Sequence, residues 1–223
     1  MTTNRFAPRS DQDVVELVLN HPLVWVVSGG GDDFRATLLP VRPELDANGR
    51  ITRLVGHFAR SNDHYQLLQK HPRALLLVLG VQGYISPSWM QDKTQAPTWN
   101  YASAQFLVDV DFFEESTDIE AHLRDLVDTM EAARPNAWSI EQMGPRYRSL
   151  SKGVIGFRAE VREIRAKFKL GQDERDDVFR DITVGLSRAG GSELLQWMNE
   201  FNAGRTGNDG NGDIPHFDNS PLL

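Results

Sequence analysis

The chain predicts a mainly β fold with peripheral helices (α+β), an antiparallel barrel carrying helical additions. Short β-branched or alternating runs recur at strand length, and several are joined by hairpin-length turns rich in Gly, Asp and Asn. Helical spacing is confined to segments before, between and after those runs.

In chain order, Ser10 with Asp13 marks a helix start, and Val14, Leu17 and Val18 give one apolar face. Asn20-His21-Pro22 ends that helix. Leu23–Ser28 follows as a short β-branched run, closed by the turn Gly29-Gly30-Gly31-Asp32-Asp33. Strand-like segments come next at Phe34–Val41, Ile51–Ala59 and Arg73–Leu79, with Asp46-Ala47-Asn48-Gly49 as a turn. Ser61–Lys70 reads as a short helix stopped by His71-Pro72, and Asn100–Val110 as another strand. Thr117-Asp118-Ile119-Glu120 matches a capping box, with Ile119, Leu123, Leu126, Val127 and Met130 at helical spacing behind it. In Ile155–Val161 apolar and polar residues alternate, the pattern of a half-buried strand. Val178, Ile182 and Leu186 predict a helix, as do Leu194, Leu195, Met198 and Phe201. Residues 1–203 thus read as one domain, and 204–223, rich in Gly, Asn, Asp and Pro, as a flexible tail.

Composition narrows the function classes. The 223 residues contain no cysteine, which excludes disulfides, thiolate metal clusters and cysteine nucleophiles. The longest apolar run, around Ala74–Leu79, is far too short to span a bilayer as a helix. Thr2 to Asp13 is polar rather than an export segment, so no membrane partner and a cytoplasmic address are expected. A net charge of −7 argues against a nucleic-acid surface over the whole protein. The charge is uneven. Residues 108–131 hold nine acids against Arg124, and residues 146–169 hold eight bases against Glu160 and Glu163. Two readings stand: solvated or mutually paired faces, or a basic stretch that holds an anion.

There is no Walker loop, dinucleotide-binding glycine motif, His-Glu-x-x-His or Gly-x-Ser-x-Gly. Two clusters remain. Gly56-His57-Phe58-Ala59-Arg60-Ser61-Asn62-Asp63-His64-Tyr65 leads a strand into a helix. Backbone N–H groups at such a start suit a phosphate, and Arg60 and His64 add charge; an ordinary capped helix is the competing reading. Tyr84-Ile85-Ser86-Pro87-Ser88-Trp89 and Ala96-Pro97-Thr98-Trp99-Asn100-Tyr101 crowd aromatic and small polar groups into a loop. These suit a flat aromatic ligand, an aromatic dimer interface, or both.

These segments, with Lys167-Phe168-Lys169-Leu170-Gly171-Gln172, resemble the PaiB family, the FMN-binding negative transcriptional regulators of the FMN-binding split-barrel superfamily. The resemblance runs over most of residues 10–200. It implies a six-stranded antiparallel split barrel that forms a homodimer with two cofactor sites at the interface. It implies FMN as cofactor, with Arg35, Thr37 and Leu38 on the strand along the flavin. The phosphate would fall to His57, Phe58, Arg60, Ser61, Asn62 and His64. Trp99, Asn100 and Tyr101 would come from the second subunit, and Lys167 and Lys169 match the late basic motif. Two departures stand out: Leu38 where many relatives carry His, and Gly171 where the late motif usually has Ser.

The family is also similar to split-barrel proteins that hold haem, including haem-dependent piperazate synthases, which form an N–N bond. Haem is therefore the alternative cofactor, with His57 as its metal ligand. No helix-turn-helix with a basic reading helix is present, so direct DNA binding is doubtful despite the regulator label. No paired acid and base can be read from the sequence, so neither a catalytic residue nor a substrate is named.

Overall fold

The computed structural model describes residues 4–30 and 33–205. Six strands appear: β1 (Leu23–Gly30), β2 (Asp33–Leu45), β3 (Ile51–Ala59), β4 (Arg73–Ile85), β5 (Thr98–Phe113) and β6 (Val154–Lys169). Their hydrogen-bonded order is β1-β2-β3-β6-β5-β4, closed as an antiparallel barrel. Among the described residues six α-helices accompany them: α1 (Asp11–Asn20), α2 (His64–Lys70), α3 (Ser116–Glu131), α4 (Arg146–Ser151), α5 (Asp176–Ala189) and α6 (Ser192–Phe201). The expected fold class is the observed one. No helix of the described residues is long and apolar enough to cross a membrane.

The described chain falls into two compact units, each assembled from separate stretches of sequence. One comprises residues 4–21, 77–105 and 164–205; the other comprises residues 22–76 and 106–163. The expected tail lies, beyond Arg205, outside the described residues, as do Gly31 and Asp32 of the first turn.

In the first unit Leu17 and Val18 of α1, Ile85 of β4, Phe168 of β6, Ile182 of α5 and Met198 of α6 are fully buried. Phe168, Trp197 and Phe201 stack with near-parallel rings, and the Arg9 guanidinium lies 3.9 Å over the Phe201 ring. Ser10 is the N-cap of α1 and Asp13 its third residue, as the start signal implied. The Asp13 carboxylate accepts from the Arg9 and Ser10 backbone N–H groups at 2.6 and 3.3 Å, and the Arg9 guanidinium lies 2.7 Å away. A buried acid is thereby satisfied from three sides.

In the second unit Val24 and Val26 of β1, Leu54 and Phe58 of β3, Phe106 of β5, and Ile155 and Phe157 of β6 form the interior. Gly29 closes the first hairpin at φ +152°, where a Cβ would stand 2.3 Å from the Asp33 carbonyl oxygen. Only glycine allows that approach.

The structure corrects two helix starts. α2 begins at His64 rather than Ser61, and α3 begins at Ser116, so Thr117 lies inside the first turn and makes no cap. The acidic and basic stretches are partly each other's partners. Arg158 meets Asp118 at 3.3 Å, and Arg162 meets Asp109 at 2.7 Å.

Candidate functional site

Three residues of the second unit, Ser28, Thr37 and Asn62, gather around one buried histidine. The β1–β2 register pairs Val26 with Thr37 and Ser28 with Arg35, so these side chains share one face of the hairpin. His64, the first residue of α2, is only 1% exposed beneath that face. Its Nε2 lies 2.8 Å from Ser28 Oγ, and its Nδ1 lies 2.9 Å from Thr37 Oγ1. Asn62 completes the group. Its amide donates to Thr37 Oγ1 at 3.2 Å, and its carbonyl oxygen accepts from the His64 backbone N–H at 3.0 Å. Burial, then the Arg35 charge, hold His64 below the usual histidine range, against a smaller pull from Asp63. The ring is therefore a neutral connector joining β1, β2 and α2.

The cations of this region already have carboxylate partners. Arg35 bonds Asp33 and approaches Asp63 at 3.9 Å, and Arg60 meets Glu114 at 2.8 Å. Asn62 N–H donates to the Ala59 carbonyl, and the His64 N–H is taken by Asn62. Asp63 occupies the N-cap of α2, placing a negative charge where a phosphate was expected. Ser61 is exposed beside it. Phe58 is fully buried, with its ring 5.3 Å from Phe157 and edge-to-face with His64 at 5.5 Å. Leu38 points outward, opposite Trp25.

His57 stands apart from this group. Its Nδ1 lies 3.0 Å from Nε2 of His122 on α3, with the rings edge to face. Its Nε2 is bonded to no described residue. Burial lowers His57, and it lowers His122 further, to about 4. His57, Arg158 and Arg42 add to the fall at His122, and Asp125 opposes it. No cluster of three or more metal-ligating side chains exists among the described residues.

The first unit gathers the remaining candidates around the start of β5. Trp99 is 52% exposed and meets exposed Tyr84 edge to face, with centroids 6.1 Å apart. Lys167 Nζ lies 5.7 Å from the Tyr101 ring centroid and 5.6 Å from that of Phe6. Lys169 donates to Thr98 Oγ1. No salt bridge engages either lysine among the described residues, while Lys169 acts electrostatically on the Glu174 carboxyl. Asn100, by strand alternation, points the other way; it is buried, and its amide reaches Met198 Sδ at 3.5 Å. Trp89 is used in packing, since a Cβ on Gly185 of α5 would stand 2.4 Å from its indole.

Sequence reasoning missed Ser28 and His122 as site residues. Ser28 carried one signal, a polar residue on the inward beat of an apolar strand. His122 carried another, a histidine within the apolar stripe of α3, one residue before Leu123.

A family model described as "Putative FMN-binding domain" matches residues 1–163. The chain is 26% identical over 134 residues to the Bacillus subtilis PaiB protein, "Protease synthase and sporulation protein PAI 2". That match covers 60% of this chain and 64% of the relative. An uncharacterised Saccharomyces cerevisiae protein is 29% identical over 100 residues, covering 43% of this chain and 59% of its own. The chain thus spans less than two thirds of either relative's length.

Two solved structures share the fold. The flavocytochrome Anf3 from Azotobacter vinelandii superposes with a TM-score of 0.55 at 19% identity, covering 74% of both chains. An FAD and haem binding protein from Mycobacterium smegmatis does so with a TM-score of 0.54 at 16% identity, covering 80% of this chain and 79% of that one.

Proposed function

The chain belongs to the FMN-binding domain family, and from that premise we propose that it is a homodimeric flavoprotein whose FMN phosphate is met by Lys167 and Lys169. The carrying observation is the surface at the start of β5. Lys167 faces the Tyr101 ring and Lys169 donates to Thr98, neither in a salt bridge with a described carboxylate and both near the strand start that carries exposed Trp99, the pairing of charge and ring face that an anionic aromatic cofactor requires. Arg35 and Arg60 would first have to release Asp33, Asp63 and Glu114, so they contribute less to phosphate binding. Thr37 and Asn62 are likewise engaged, with His64 and with each other.

The homodimer is supported by the outward apolar side chains. In the second unit Leu23, Trp25, Phe34 and Leu38 on the β1–β2 hairpin are all more than two-fifths exposed. A contiguous apolar strip of that kind is the mark of a protein interface. A regulatory role, on this reading, runs through the bound cofactor. Arg158 and Arg162, the outward cations of β6, already face Asp118 and Asp109 rather than standing free for DNA phosphates.

The test is absorbance and fluorescence of the purified protein during FMN titration. Saturable quenching of flavin fluorescence with a one-to-one protomer stoichiometry supports the proposal; unchanged fluorescence and an unchanged thermal midpoint refute it. Haem is the second reading, favoured by one observation: His57 keeps Nε2 unbonded and could offer it as a neutral imidazole to iron. A Soret band lost in His57→Ala would support that cofactor instead.

A further inference from the structure

The connection between β4 and β5, residues 86–97, is long where hairpin loops usually run about 2–5 residues. Its two ends carry the ring contact of the first unit. Exposed Tyr84 lies one residue before the end of β4, and exposed Trp99, which it meets edge to face, is the second residue of β5. Thr98, the first residue of β5, accepts the bond from Lys169. What holds the connection therefore bears on where these groups stand.

The connection is tied to itself. A single helical turn at Pro87–Trp89 is capped by Ser86, whose Oγ accepts from the Ser88 N–H at 3.2 Å. Lys93 Nζ donates to the Ser88 carbonyl at 3.0 Å. The Asp92 carboxylate accepts from the Thr94 N–H, the Thr94 hydroxyl and the Gln95 amide at 3.0, 2.6 and 2.7 Å. The segment is a compact strap rather than an open loop.

Helix α5 holds that strap at three points. The Trp89 ring lies against Gly185, where a Cβ would stand 2.4 Å from Cδ2 and 2.5 Å from Cγ of the indole. One turn earlier Asp181 accepts the Gln91 N–H at 2.7 Å. At the helix start Arg175 reaches Asp92 at 3.0 Å while also holding Asp177. Gly185 and Asp181, four residues apart, share one face of the helix. Within a helix only proline is less favourable than glycine, and Gly185 has no positive φ that would call for it. The close approach of Trp89 accounts for it, since any side chain there would push the ring, and the strap with it, off the helix.

We propose that α5 controls the ring surface at the start of β5: Gly185 and Asp181 latch the 86–97 strap, and the latched strap sets Trp99 against Tyr84. Both are positioning residues, acting on the surface through the strap. The inference deepens the flavin reading of this surface and rests on it for the identity of the ligand. The placement of Trp99 is a property of the ligand-free protein.

Fluorine spectra of the full chain labelled with 5-fluorotryptophan test the latch without any ligand. The five tryptophans give separate probes, with Trp99 assigned through Trp99→Phe, and Trp25 and Trp138 of the second unit reporting that a variant is folded. In Asp181→Ala, a change that favours the helix itself, and in Gly185→Ala, the Trp99 resonance should shift or broaden while those of Trp25 and Trp138 stay. Amide exchange at Gln91 should rise about 10-fold or more in Asp181→Ala, the worth of one hydrogen bond to a charged acceptor. Gly185→Ala/Trp89→Leu, which removes the collision, should bring the Trp99 resonance back toward its wild-type position. A Trp99 resonance unmoved in both single variants overturns the inference, and so does unchanged exchange at Gln91. If Gly185→Ala misfolds, Asp181→Ala decides alone.

Titrations with FMN and riboflavin then separate the latch from the flavin reading. If the wild type binds, both single variants should weaken the two flavins alike, by about 10-fold where the latched strap falls to a tenth of the population. Equal affinity in the wild type and both variants overturns the control of the surface by α5. A wild type that binds neither flavin refutes the flavin reading alone, and the fluorine result then decides the latch.

Discussion

Ser28 of β1 and His64 of α2, 36 residues apart in sequence, are joined by a 2.8 Å contact between Oγ and Nε2 in the interior of the second unit. Thr37 holds the other ring nitrogen, so one imidazole fixes the end of the first hairpin against the start of a seven-residue helix. A helix of that length is not stable on its own. Its place depends on this tertiary anchor.

Replacing His64 should therefore cost more than the ring's packing. In His64→Leu, Ser28 and Thr37 each lose a partner, and Ser28 is too buried to find water. The expected loss is about 2–4 kcal/mol, one or two unsatisfied hydroxyls plus imperfect repacking. Urea denaturation measures it. The double variant Ser28→Ala/His64→Leu should be less destabilised than the sum of the singles, because the orphaned hydroxyl is gone.

The strands were legible because alternation records them directly. Val24 and Val26 face inward while Trp25 faces out, and Ile155, Phe157 and Ala159 do the same on β6. Helix starts were less legible. Ser61-Asn62 has the composition of a cap, yet Asn62 spends its amide on Thr37, a partner 25 residues away that no local rule contains. Trp89 and Trp99 look alike in sequence. Only the position of Gly185 on α5, which receives the Trp89 ring, leaves Trp99 as the exposed one. The His57–His122 contact, between residues 65 apart, was invisible for the same reason.

The charge pairings separate two phosphate sites by experiment. Lys167→Ala and Lys169→Ala should each weaken FMN about 10-fold or more, the worth of one charge-assisted contact. Neither should alter riboflavin, which lacks the phosphate. Arg35→Ala and Arg60→Ala should change FMN affinity less, since each cation is already neutralised by carboxylates. Fluorescence titration with both flavins checks this. A larger FMN-specific loss in Arg35→Ala or Arg60→Ala would return the phosphate to the β3–α2 turn.

The outward strip predicts a concentration-dependent assembly. Trp25 and Leu38 sit directly opposite each other in the hairpin register, at 49% and 41% exposure. Trp25→Asp should shift the protein to monomer at micromolar concentration by sedimentation equilibrium, and the far-ultraviolet circular dichroism should be retained because the side chain is not part of the interior. A wild type that already sediments as a monomer would remove the interface.

Acid should weaken the fold well before the carboxylates titrate. His21, His57, His64 and His122 are all held below the ordinary histidine range, with burial the leading cause for each. His122 lies lowest, at about 4, against an unfolded value of about 6.5. The unfolded chain therefore takes up the proton first, and falling pH draws the equilibrium toward it. Stability from this group is fully present above pH 7 and declines as the pH falls from about 6.5 to about 4. For His122 the loss is on the order of 3 kcal/mol at the acid end. Thermal midpoints between pH 7.5 and pH 4.5 should fall steadily in the wild type. In His122→Phe the decline should be shallower, because one of the four depressed groups is absent and His57 no longer faces a second imidazole. An identical slope in the two proteins would mean that His122 reaches its proton without unfolding, and that α3 does not shield it in solution.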